Sequence, residues 1–95
     1  MDKYELVTIV DAAMPQEEKG NVMKEVSDSI AKCDGKVINN QVWLDKQKFS
    51  FRMKNKAEGT YYLVNFESAR GGIVKLRDLL RLNDKLLRTL IIKVD

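Results

Sequence analysis

Ninety-five residues, 44% hydrophobic and 33% charged, supply one modest hydrophobic core and a well-charged surface. Net charge is +3, with no histidine and one cysteine, which excludes an internal disulfide and weakens both histidine-based acid–base catalysis and most zinc sites. No stretch approaches the ~18 apolar residues of a membrane span, the charged N-terminus with its short apolar run at residues 6–10 does not read as a signal peptide, and disulfide-free chemistry fits a reducing, cytoplasmic compartment.

Residues 4–10 are rich in β-branched and aromatic side chains, and read as a strand apolar on both faces, hence central. Residues 14–18, Met-Pro-Gln-Glu-Glu, look like a helix start, because proline is tolerated in the first turn and glutamates suit the positive end of the helix dipole. Val22, Val26 and Ile30 then recur every four residues, with Met23 and Cys33 widening the stripe. Cys33 reads as a small buried hydrophobe, and Asp34-Gly35 ends the helix.

Residues 36–54 predict a second, long strand whose phase changes along its length. Ile38, Val42 and Leu44 share one parity, while Trp43, Phe49, Phe51 and Met53 share the other. A bulge between Leu44 and Phe49 reconciles them. Residues 55–59 read as a polar turn, and residues 60–67 as a third strand, again apolar on both faces. Arg70-Gly71-Gly72 opens a second helix with Ile73, Leu76, Leu79 and Leu80 as its buried stripe, and residues 86–94 form the last strand. The order βαββαβ is the split, ferredoxin-like arrangement of the α+β class. It places two helices on one face of a four-stranded antiparallel sheet, with the first and third strands in the middle, as a single domain over residues 1–95.

The most informative segment is residues 46–56. Lys46, Lys48, Arg52, Lys54 and Lys56 give it +5 with no acid, so the rest of the chain carries −2. Between residues 46 and 54 the cations alternate with Phe49, Phe51 and Met53, so a strand here has a basic side and an apolar side. One reading is edge protection, since lysines on an edge strand block pairing with other chains. The other is contact with phosphates, favoured by the planar fork of Arg52 and by the continuation of positive charge to Lys56.

Other features are weaker. Tyr61 and Tyr62 suggest the base-stacking sheet of an RNA-recognition motif, but Leu63 and Thr60 stand where that module needs an aromatic and a glycine, so packing is the better reading. Gly71-Gly72 lacks the rest of a phosphate loop and reads as a flexible helix start. Trp43 and Leu44, on an edge strand, are either an exposed anchor for a protein partner or locally half-buried. Arg81 and Arg88 bracket a turn at Asn83-Asp84, where they either satisfy helix-end carbonyls or hold a nucleic-acid backbone.

Taken together, Lys3-Tyr4-Glu5-Leu6, the long strand with Trp43 and Phe49-Ser50-Phe51-Arg52-Met53-Lys54, Gly59-Thr60-Tyr61-Tyr62 with Asn65-Phe66-Glu67, and the stretch from Leu82-Asn83-Asp84 to Arg88 resemble the family of the sixth small-subunit ribosomal protein of bacteria. The likeness runs along essentially the whole chain. It departs after Trp43, where Leu44 and Asp45 replace the family's glycine and basic residues, and at residues 49–53, which lack the family's proline. The resemblance implies incorporation into the small ribosomal subunit, and binding to its ribosomal RNA together with the small basic ribosomal protein numbered eighteen. It implies no catalysis and no cofactor.

The expectation is thus a structural RNA-binding protein. Lys46, Lys48, Arg52, Lys54 and Lys56 would hold phosphates, with Arg81, Arg88 and Lys93 as secondary contacts, and Trp43 and Leu44 would face the protein partner. Two rivals share the fold. An acylphosphatase-like enzyme needs a cationic loop after the first strand, and residues 11–15 contain no cation. A regulatory module oligomerising through its sheet is the other.

Overall fold

A computed structural model describes residues 2–94, with side chains described for residues 2–50 and 54–94. The elements are β1 (Asp2–Asp11), α1 (Gln16–Lys32), β2 (Lys36–Met53), β3 (Lys56–Ser68), α2 (Arg70–Arg81) and β4 (Arg88–Val94). They build one antiparallel sheet of order β2-β3-β1-β4, with β1 and β3 central, as the two-sided apolar pattern predicts.

Period-two alternation sorts the central strands into two faces. Tyr4, Leu6, Thr8 and Val10 pair with Phe66, Val64, Tyr62 and Thr60, and all eight are buried under the helices. The rings of Tyr4 and Phe66 stack at 5.5 Å. From above, α1 contributes Val22, Met23, Val26 and Ile30, and α2 contributes Leu76 and Leu80. Each such side chain contributes roughly 1.5–3 kcal/mol on full burial. Cys33 is buried in the same core. Among the described residues the opposite sheet face carries no helix.

The connections differ in detail from the expectations. Pro15 sits at the N-cap position just before α1, not within its first turn, and Glu17 and Glu18 follow in that turn. At the other end Asp34, not Gly35, takes the left-handed conformation (φ 61°). The amides of Asp34 and Gly35 donate to the carbonyls of Ala31 and Ile30, the Schellman pattern. Gly35 is there for space, since a Cβ would stand 2.7 Å from Ile30 Cγ2 and 3.2 Å from the Glu67 carbonyl oxygen. The polar turn expected at residues 55–59 shrinks to two residues. Lys54 and Asn55 both have positive φ (49° and 65°), and Met53 pairs with Lys56, so the hairpin closes by the tight turn that matches right-twisted strands. Leu86 precedes β4 and is buried in the core, and the Leu87 amide donates to the Ile9 carbonyl at 2.7 Å.

The edge strand β2 slips register between Val37 and Asn39, Val42 and Leu44, Leu44 and Gln47, and Lys48 and Met53. The third of these slips falls in the expected interval and contains Lys46 with φ 50°. The second, at Trp43, moves Leu44 into register with Tyr61 although Val42 is in register with Tyr62.

Candidate nucleic-acid and protein interface

The cations of residues 46–56 do not form one bare stripe. Lys46 and Lys48 are exposed and make no ion pair among the described residues. The fold nevertheless brings acids to them. Lys48 lies opposite Glu58 in the ladder, and Lys46 lines a cavity of about 410 Å³ with Asp11 and Glu58. Lys56 is ion-paired to Asp11 at 3.4 Å. Among the secondary candidates, Lys93 pairs with Asp2 at 3.7 Å, and Arg70 also bonds that carboxylate at 3.0 Å. The Arg70 hydrogen bond, aided by the Lys93 charge, holds the Asp2 carboxyl below its ordinary range. The side chain of Arg52, like those of Phe51 and Met53, lies outside the described residues.

Lys54 behaves differently. The hairpin carries it across the end of the sheet, where its ammonium donates to the carbonyls of Leu86 (3.1 Å) and Asp84 (3.4 Å). Carbonyls position an ammonium without neutralising it. Arg81 and Arg88 meet it at the same corner, joined by Arg77, and the four line a cavity of about 480 Å³. The carbonyls of Leu79 and Leu80 at the end of α2 are already taken by the amides of Leu82 and Asn83. Among the described residues neither arginine's guanidinium donates to a protein group, so helix capping does not account for them. The turn itself is made by Asn83, whose Oδ1 accepts from the Lys85 amide and whose Nδ2 donates to Glu25 on α1.

The helix-free face supplies the apolar surface. Trp43 is 52% exposed and meets Tyr61 edge-on at 6.4 Å, while Phe49 tilts against the same tyrosine and covers Gly59. With Val7, Ile9, Leu90 and Ile92, Trp43 and Tyr61 border a cavity of about 330 Å³, and Ile38 and Val94 extend the exposed apolar area. Leu44 is exposed beside Trp43.

Two residues escape a reading of the sequence alone. Arg77 looks there like any solvated helix cation, although its spacing of four from Arg81 on one helix was the available signal. Lys19 is only 4% exposed. Its ammonium donates to the Ala12 carbonyl and to Thr60 Oγ1, both at 3.1 Å, and Thr60 in turn donates to Asp45 at 2.9 Å. This chain ties the β1–α1 loop and α1 to the irregular part of β2. Burial, with the Asp45 charge added, pushes the neighbouring Tyr62 phenol up. The Gly72 amide donates to the Ala69 carbonyl, so the glycine pair does not present two free N–H groups to a phosphate. Among the described residues no cluster of three His, Cys, Asp or Glu forms a metal site, and no helix is long and apolar enough to cross a membrane.

Comparison with known proteins bears on the family and the fold. A family model described as "Ribosomal protein S6" matches residues 3–93. The chain is 31% identical to the small ribosomal subunit protein bS6 of Micrococcus luteus, over 98% of this chain and 91% of that one. It is 30% identical to the bS6 protein of Caldanaerobacter subterraneus, over 100% and 99%. In structure it is similar to the crystal structure of 30S ribosomal protein S6 from Thermotoga maritima, with a TM-score of 0.87 and 22% identity over 98% of this chain and 87% of that one. The C-terminal domain of the Mycobacterium tuberculosis MgtC protein shares the fold alone (TM-score 0.62, 8% identity, 99% and 88% covered).

Proposed function

Since the chain belongs to the ribosomal protein S6 family, we propose that it is a structural constituent of the small ribosomal subunit, one domain that binds small-subunit ribosomal RNA together with small-subunit ribosomal protein eighteen. The family is structural and non-enzymatic. The observation that carries the reading is the match along residues 3–93, backed by relatives aligned over nearly their whole length. The location that follows is the cytoplasm, in the small subunit.

Lys46, Lys48 and Arg52 on the hairpin, Lys54, Arg81 and Arg88 at the corner, and Lys56 and Lys93, released from Asp11 and Asp2, are the proposed phosphate contacts. Such contacts position a protein without reading bases, so specificity comes from RNA shape and from the partner. The partner covers the helix-free face around Trp43 and Leu44, where an exposed tryptophan offers a hot-spot anchor.

Co-sedimentation with small subunits tests the reading directly. With about five phosphates neutralised, log affinity for the RNA falls against log salt with a slope of about −3.5 to −4.5. Replacing Lys48 with Gln shallows that slope while leaving thermal stability unchanged, because the side chain is exposed and makes no ion pair among the described residues. Absence from purified subunits, or a slope near zero, overturns the proposal.

A further inference from the structure

We infer that the corner where the β2–β3 turn crosses the α2–β4 loop is a built phosphate site, formed by Lys54, Arg77, Arg81 and Arg88 and occupied by a single phosphodiester group of RNA. It rests on the ribosomal reading above and deepens it, by adding Arg77 and by replacing a linear basic stripe with a pocket. Four cations converge on a cavity of about 480 Å³, and among the described residues no acid lines it. That volume lies within the ~300–1,000 Å³ of small-ligand clefts. Lys46, Lys48 and Lys56 on the hairpin have Asp11 or Glu58 beside them; these four do not.

Like charges drawn together raise the local field and favour an anion between them. Lys54 is held in place by the Asp84 and Leu86 carbonyls, which accept its protons but leave its charge. Its backbone stands at positive φ, a conformation disfavoured for a non-glycine residue. Arg77 and Arg81 are one helical turn apart on the exposed side of α2, and Arg88 approaches from the first residue of β4. Three guanidinium forks with one ammonium match the several oxygens of a phosphate better than they match a carboxylate or a neutral ligand.

The test uses the whole chain. Arg77→Ala combined with Arg81→Ala is expected to weaken binding of small-subunit ribosomal RNA about tenfold or more, and to shallow the salt slope by about 1, the share of the one phosphate no longer neutralised. Both side chains are exposed, so an unchanged melting temperature accompanies the weaker binding. In a second arm, tripolyphosphate is titrated into the protein without RNA and followed by NMR. Saturable shifts at Lys54, Arg77, Arg81 and Arg88, abolished in the double variant, are the expected result. RNA binding unchanged in the double variant overturns the site and leaves the ribosomal reading standing. Saturable tripolyphosphate shifts without any RNA binding by the wild-type chain overturn both that reading and RNA as the source of the phosphate. They identify a site for free oligophosphate instead.

Discussion

A methyl group added at Gly72 would stand 2.7 Å from the Cys33 carbonyl oxygen and 2.9 Å from Ser68 Oγ, whereas one added at Gly71 meets nothing within 4 Å. The Cys33 carbonyl belongs to the backbone that closes α1, so it cannot swing aside as a flexible side chain would. Gly72→Ala is therefore expected to destabilise the protein by about 1–3 kcal/mol, as overpacking does. Gly71→Ala, in the exposed first turn of α2, is expected to stabilise it by about 0.4–1 kcal/mol by restricting the unfolded chain. Chemical denaturation of the two variants checks both signs. The pair reads in sequence as a flexible helix start. A reading of one residue at a time could not distinguish them, because the atom that makes Gly72 necessary lies on another element.

At the scale of elements, local periodicity was enough for most of the fold. Alternation in β1 and β3, four-residue spacing in α1, and the phase change in β2 are all short-range patterns, and each matches an element of the structure. What local pattern could not show was which acids return to the hairpin. Asp11 precedes Lys56 by 45 positions, yet β1 and β3 pair side by side and bring them together. Nor could it show where Lys54 goes. Its bonds to Asp84 and Leu86 span about thirty residues. They offset part of the cost of its left-handed backbone, and Lys54→Met removes them. The freed carbonyls regain water, so the expected destabilisation is modest, about 0.5–1.5 kcal/mol. It should concentrate in the turn and the α2–β4 loop as faster amide hydrogen exchange at residues 54–58 and 84–87, with the β1–β3 amides unchanged. Uniform acceleration throughout the sheet would show instead that the crossing supports the whole fold.

Viewed whole, the molecule has one covered sheet face, one bare apolar face, and a cationic corner at the end of the sheet where α2 gives way to β4. Arg88 belongs to both open regions, since it lines the cavity with Arg77 and Arg81 and also the cavity with Trp43, Leu90 and Ile92. In the sheet it sits opposite Ile9, on the helix-free face. A protein seated over Trp43 would therefore fix the rotamer of Arg88 and press it toward the proposed phosphate site, lowering the entropy that RNA binding must remove. Such a coupling would be reciprocal: whatever factor the proposed partner adds to RNA affinity, RNA must add to the affinity for that partner. Trp43 is the chain's one tryptophan, so its emission reports coverage of the bare face directly. It should shift to the blue when the partner binds and stay unmoved by RNA alone. Measuring RNA affinity with and without the partner then gives the coupling factor, and Arg88→Ala should bring that factor close to one while Trp43 still reports partner binding. A factor unchanged in Arg88→Ala would mean that the two surfaces communicate by another route, through the RNA or the partner.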